Sequence, residues 1–263
     1  MAIRIRTTMT MTMTMTMAID AAKRLRLQSW FSPAFPIGAF SYSHGLEWAV
    51  EEATVTDRAS LVAWLDADLR HGSGRADAMF FAEAWRGARP TSVASLPASF
   101  GPRPGQSAAP ELLVVATLAA AMRGTAELAL ESGQQGIAFF AAVRKAWPHP
   151  ELDRIAKLLT ESAIGPVLPV AAGICCAVHD IGLEFALPSY VHGSAANLVN
   201  AAVRLVPLGQ TDGQIALAAL EAAVLETARE ALSAPPGDIG SAAFMIDLAS
   251  MRHETQYTRL FRS

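Results

Sequence analysis

From Ile19 onward, apolar side chains recur every three to four residues along almost the whole chain, and strict alternation is confined to Thr8–Met17. A repeat of this period can bury its apolar stripe only as a helix, because a strand turns every second side chain to the opposite face. Leu61, Trp64, Leu65, Asp68 and Leu69 fall at helical spacing with one polar interruption. Val191, Ala195, Leu198, Val199, Ala202 and Val206 form a cleaner stripe, and Leu217, Leu220, Val224 and Ala228 a third. Val and Ile seldom cluster with Thr or Tyr, as strands would favour. Breakers punctuate the pattern at Pro33, Pro36-Ile-Gly38, Pro148-His-Pro150, Pro166, Pro169, Pro188, Pro207-Leu-Gly209 and Pro235-Pro236-Gly237. The pieces between them run about 10–20 residues, the ordinary length of a helix. The pattern predicts an all-α chain, a single compact helical domain of roughly ten helices.

Two stretches fall outside the periodic pattern. Residues 1–18 hold six of the ten methionines, in simple repetition with Thr, and read as a low-complexity tail. Residues 87–110 carry Pro90, Pro97, Pro102, Pro104 and Pro110 among Ser and Gly with almost no charge. A structureless run of that length is out of place inside a core, so it reads as a long surface loop, or else as a domain linker. Residues before it supply too few helices to bury one another, which favours one helical domain over 19–250 with a loop at 87–110. Residues 251–263 then form a C-terminal tail.

Composition narrows the function. Hydrophobic residues make up 52% of the 263 and charged residues only 17%, so close helix packing and apolar surface for partners are both expected. The net charge is −3, and Lys and Arg are scattered, which argues against nucleic acid. The two cysteines, Cys175 and Cys176, are adjacent inside an apolar run and lack the C-x-x-C spacing of a metal site. They read as buried, inert thiols in a reducing cytoplasm. The longest apolar runs, Leu112–Met122 and Val167–Val178, are too short to span a membrane.

Ser32-Pro-Ala-Phe-Pro-Ile-Gly-Ala-Phe-Ser-Tyr-Ser-His-Gly-Leu-Glu47 is the most distinctive segment. Its prolines and glycine force a turn, after which Ser41 or Ser43 can cap a helix, with Glu47 near the positive end of the helix dipole. Ser43-His44-Gly45 partly mimics a nucleophile elbow, but position 41 is not Gly and the prolines deny it the strand such an elbow needs. His179, His192 and His253 lack ligand spacing, and Gly72-Ser-Gly74 lacks the frame of a phosphate loop. In Arg204–Gln214, Pro207 and Gly209 end one helix, and Thr211 or Asp212 can cap the next. That leaves Arg204, Gln210 and Gln214 to project near one corner. The C-terminal run Met251–Ser263 is polar and basic, with Tyr257, Leu260 and Phe261 interspersed. It reads as a segment that docks by aromatic anchors, or as a frayed end.

Three of these segments, in this order, resemble the urease accessory protein F (UreF) family: Ser32–Ser43 with Gly45-Leu-Glu47, Arg204–Gln214, and His253–Arg262. Glu131-Ser-Gly-Gln-Gln-Gly136 is a weaker match. The resemblance runs from about Leu25 to the C-terminus. The Met/Thr tail is no part of it, and the 87–110 loop is longer than the family pattern.

The resemblance implies a cytoplasmic, non-enzymatic, all-helical protein with no cofactor of its own. It implies a homodimer that assembles with a D-type scaffold (called H in some organisms) and a G-type GTPase, and reaches apo-urease through that complex. It also implies that GTP hydrolysis is coupled to nickel insertion. Partner-facing roles are expected for Ser41, Tyr42, Ser43, Glu47, Arg204, Gln210 and Gln214 as one polar face, with Arg204 also able to act on the GTPase. His253, Tyr257, Arg259, Leu260 and Phe261 are expected to serve as a tail that orders on the scaffold. The competing reading is a metallochaperone that holds nickel itself.

Overall fold

The computed structural model describes residues 21–89 and 108–263. The 1–18 tail and residues 90–107 of the expected loop lie outside them. Among the described residues the chain forms twelve α-helices, two short 3-10 turns and no strand.

The helices are α1 (21–30), α2 (Leu46–Glu51), α3 (Arg58–His71), α4 (Ser73–Ala88), α5 (Ala108–Ala121) and α6 (Ala126–Ala146). Then follow α7 (Pro150–Glu161), α8 (Leu168–Val178), α9 (Leu183–Leu205), α10 (Gln210–Ala219), α11 (Glu221–Ser233) and α12 (Phe244–His253).

Helix α8 is apolar on every side, and a helix without a polar face must be surrounded. Each residue from Pro169 to Val178 is buried, with α4 and α6 as its main neighbours and α5, α7 and α9 completing the enclosure. Small residues set the spacing. A Cβ on Gly173 would lie 2.4 Å from the Phe81 carbonyl oxygen of α4, so the two backbones meet where no side chain fits. Cys175 and Cys176 are fully buried here, and burial pushes both thiols well above their ordinary range. They are packing groups, unreactive at neutral pH.

Aromatic side chains close one end of this core. Trp30 meets Phe139, Trp147 and His179 edge-on, and Phe31 stacks on Phe139 with ring centroids 6.1 Å apart. Around the periphery the predicted stripes face inward. Leu61, Leu65 and Leu69 of α3 are buried, as are Val191, Ala195, Val199 and Ala202 of α9. Asp68, the one polar member of the α3 stripe, is buried with them.

Four points differ from the sequence reading. Pro188 does not break a helix but lies within α9, since a proline removes only its own N–H bond to the preceding turn. Pro110 does not belong to the loop but to the first turn of α5, where backbone N–H groups have no helical acceptor anyway. Gly87 and Ala88 likewise close α4. The stripe from Leu217 to Ala228 spans two helices, with Leu220 at their junction. At the start of α10, the Asp212 carboxylate accepts from the Gly209 N–H at 3.4 Å.

Two glycine substitutions separate packing from propensity. Gly173→Ala should destabilise by about 1–3 kcal/mol through overpacking, despite the helix preference of Ala. Gly133→Ala on α6, where nothing lies within 4 Å, should stabilise by up to about 1 kcal/mol. Urea denaturation of both variants checks this. Equal stability in the two would mean that the α4–α8 contact is looser than described.

Candidate functional site

The site is built where the turn that leads into α2 meets the C-terminal segment. After the 3-10 turn Ala39–Ser41, Tyr42 is extended, and His44 and Gly45 both take positive φ (60° and 76°) before α2 begins. Gly45 is required twice over. Its φ suits glycine, and a Cβ there would sit 2.7 Å from the Ser250 backbone nitrogen of α12. This tight reversal points Glu47, in the first turn of α2, inward at α12 and the segment that follows it.

Glu47 is almost wholly buried and fully occupied. Its Oε1 accepts from the Leu260 N–H at 2.6 Å, and its Oε2 from the Phe261 N–H at 2.9 Å. Oε2 also lies 3.0 Å from Nε2 of His253, which has no exposure at all. The other imidazole nitrogen, Nδ1, lies 2.6 Å from Glu127 Oε2 in the first turn of α6, and Glu127 Oε1 accepts from Arg259 at 2.6 Å. One turn along α6, Glu131 Oε2 accepts from Ser263 Oγ at 2.6 Å and faces His44 Nδ1 at 3.5 Å.

Backbone bonds complete the clasp. Arg262 N–H donates to the Ser41 carbonyl at 2.8 Å, and Ser43 N–H to the Ser263 carbonyl at 2.7 Å. The Ser43 hydroxyl donates to that same carbonyl and accepts from the Glu47 N–H at 3.3 Å. Arg204, at the end of α9, donates to the Phe40 carbonyl at 2.6 Å and lies over the Phe261 ring at 4.2 Å. Partial burial lowers its pKa from the ordinary arginine value. Tyr42 Oη donates to Gln134 Oε1 at 2.6 Å.

Beneath the clasp lies a cavity of about 80 Å³, large enough for several water molecules, lined by His44, Asp68, Ser73, Asp77, Arg123 and Glu131. Arg123 pairs with Asp77 at 2.7 Å. His44 Nε2 lies 2.7 Å from Ser73 Oγ, which donates to Asp68 Oδ1 at 2.8 Å. Burial alone would lower the His44 pKa. The hydrogen bond and charge of Glu131, with Asp68 and Asp77 close by, outweigh it and raise the group from 6.5 to about 9. Among the described residues, no cluster of three or more His, Cys, Asp or Glu side chains is set to hold a metal ion, and no helix is long and apolar enough to cross a membrane.

A family model described as UreF matches residues 55–221. "Urease accessory protein UreF" of Rhodopseudomonas palustris (strain HaA2) is 48% identical over 246 residues, covering 94% of this chain and 96% of that protein. The protein of the same name from Bradyrhizobium diazoefficiens is 45% identical over 246 residues, covering 94% of each.

The chain belongs to the UreF family.

In this UreF-family chain the sequence-marked segments converge on one junction. Ser41, Ser43, Glu47, Arg204, His253, Arg259 and Phe261 all touch it, and Tyr42 ties it to the Glu131–Gly136 block through Gln134. They do not form one solvent-facing polar face. Tyr42, Ser43, Glu47 and His253 are buried, and their polar atoms are spent on the chain itself. Gln210 and Gln214 stand apart on the exposed side of α10. The C-terminal segment is already docked on the body of the chain, with Phe261 buried, while Tyr257 and Leu260 are exposed.

Sequence reasoning passed over Glu127, Glu131 and His44 as site residues. The signal for the first two was their i, i+4 spacing on α6, which puts both carboxylates on one helix face.

Glu47→Ala should free the C-terminal segment by leaving two backbone N–H groups and a buried imidazole without their acceptor, a loss of about 3–5 kcal/mol of local stability. Limited trypsin digestion with mass spectrometry should show faster cleavage after Arg259 than in the parent chain. Unchanged cleavage would mean that Glu47 does not hold the segment.

Proposed function

We propose that the chain is a non-enzymatic adaptor of urease maturation, acting as a homodimer that joins the D-type (H) scaffold to the G-type GTPase. In this reading it couples GTP hydrolysis to nickel insertion into apo-urease, with nickel as cargo. The observation that carries the reading is the docked C-terminal segment. Its buried side locks together residues from four separate parts of the chain, while its outer side carries Tyr257 and Leu260 into solvent.

Beside it, α12 leaves Phe244, Met245, Leu248 and Met251 exposed. Apolar groups displayed on a rigidly held element are suited to receive a partner. Ser43, the one residue resembling a nucleophile, spends its hydroxyl on the Ser263 carbonyl, which supports an adaptor over a hydrolase. A role for Arg204 on the partner GTPase would require it first to leave Phe40 and Phe261.

The test is co-purification of the chain with the scaffold and GTPase of its own operon, sized by light scattering. A stable ternary complex is expected. Tyr257→Ala with Leu260→Ala should weaken scaffold binding by about tenfold or more while leaving thermal unfolding unchanged. A folded chain that binds neither partner overturns the adaptor reading. Retention of nickel by the isolated chain in equilibrium dialysis would favour a metallochaperone instead.

A further inference from the structure

Like α8, helix α5 has no charged face, but unlike α8 it is not enclosed. It carries no charge between Glu111 and Arg123, and its one hydroxyl there, on Thr117, donates to the Leu113 carbonyl at 2.8 Å. Its neighbours are α4 and, to a lesser degree, α8. Leu112, Ala116 and Ala119 are buried, while Val114, Leu118 and Met122, spaced four apart, stand in solvent at 65%, 42% and 39% exposure. An ordinary surface helix turns charge outward. In α7, Leu152, Ile155 and Leu159 are buried while Asp153, Arg154 and Lys157 face water. Helix propensity does not account for the outer row of α5, since Glu or Lys at position 114 would hold the helix better than Val. An uncharged row of this kind marks a surface that a partner covers.

The row ends against α12. In the turn that follows Met122, Thr125 Oγ1 lies 2.8 Å from Ser250 Oγ, and the Ala126 N–H donates to Glu254 Oε1 at 2.9 Å. A Cβ on Gly124 would lie 3.6 Å from Asp247 Oδ1. These bonds fix α5 and α6 to the helix whose outer side displays Phe244, Leu248 and Met251. A stable interface draws on roughly 20–30 residues a side. Only twelve residues between Phe244 and Ser263 are exposed, so α12 and the C-terminal segment fall short by themselves and α5 extends them.

Charge at this place is basic, although the chain as a whole carries −3. From Arg252 to Ser263 there are three exposed arginines, Arg252, Arg259 and Arg262, against one acid, Glu254, which is held at the start of α6. Arg259 pairs with Glu127, whereas Arg252 and Arg262 meet no acid among the described residues.

We propose that the outer row of α5 and the exposed side of α12 form one docking surface, whose occupant is a protein face with an apolar centre and an acidic margin. On the adaptor reading, on which this rests, that face belongs to the D-type scaffold. A second copy of this chain fits less well, because a two-fold contact sets a patch against its own image and brings the arginines of both copies together.

The test is the dissociation constant between the full chain and the purified D-type scaffold of its own operon, measured by titration calorimetry. Val114→Gln with Leu118→Gln should weaken binding by about tenfold or more, with urea unfolding of the free chain unchanged because Gln is a good helix former. Should the double variant fold poorly, Val114→Gln alone, at the most exposed position of the row, should still weaken binding by about threefold. Arg252→Glu with Arg262→Glu should weaken binding and flatten its salt dependence. Ile137→Gln, which removes an exposed apolar group of α6 near Gly165, should bind like the parent. Parent-like binding by the α5 variants overturns the inference and leaves the adaptor reading standing, whereas a folded parent chain that binds no scaffold overturns both. An equal loss in Ile137→Gln overturns it as a general effect of apolar surface. So does self-association of the parent chain that Leu118→Gln abolishes, which would make a second copy the occupant. A fall in stability of free Val114→Gln overturns it too, since the chain itself would then cover the row.

Discussion

A carboxylate cannot leave water without partners, and Glu47 sits almost entirely out of it. The arrangement of the candidate site follows from meeting that constraint. Two backbone N–H groups and an imidazole surround the Glu47 oxygens, and they can be brought there only if α2, α12 and the C-terminal segment are fixed relative to one another. The other nitrogen of that imidazole is met from the first turn of α6 by Glu127. Three stretches far apart in the chain, α2, α6 and α12 with the segment that follows it, are joined through one buried charge. Its requirements explain details that otherwise look arbitrary, such as the positive φ of His44 and Gly45, which turns the chain so that Glu47 points inward.

The apolar core obeys a different economy. Helix α8 has no polar face, so its neighbours must cover it on all sides, and its small residues let them come close. Gly173 admits the α4 backbone, and Gly136 of α6 plays the same part against the chain around Pro166, where a Cβ would lie 2.1 Å from a carbonyl oxygen. That second contact links the core to the site. It positions α6, and α6 carries Gln134, Glu131 and Glu127 to the junction. Packing of the interior thus sets the register in which the carboxylates meet the C-terminal segment.

Environment rather than residue type gives the histidines their character. His179 is buried among Trp30, His149 and Arg26, and burial first, then the positive charge of Arg26, lowers it to about 4. It is a neutral core group. His44 is comparably enclosed, yet Glu131 and the neighbouring aspartates carry it in the opposite direction. Neither direction can be read from the neighbouring residues in sequence, Ser43 and Gly45 for one and Val178 and Asp180 for the other. What separates them is whether the surrounding helices bring arginine or carboxylate to the ring.

The helical class was legible because helix formation is local. Spacing along α3 and α9 named their buried faces correctly, and Pro207 marked the end of α9, since a stripe or a breaker acts on residues only three or four apart. Gly209, read as ending that helix, is instead the N-cap of α10, and Thr211 and Asp212 lie within its first turn. Pro188 and Pro110 were misleading for an equally local reason. A proline forbids one hydrogen bond but does not reveal whether that bond is needed.

The site was half legible. Its blocks could be marked as unusual, but not that Ser43, Glu47 and His253 turn inward, nor that the polar C-terminal segment is already docked. Glu47 and Phe261 are 214 positions apart, and His253 and Glu127 are 126 apart. A basic, aromatic-studded segment reads as a free tail because the carboxylates that hold it lie on helices elsewhere in the chain. The sequence by itself determined the helices, their apolar faces and the family. Only the tertiary structure decided which charges are buried together, because burial depends on what long-range packing brings alongside.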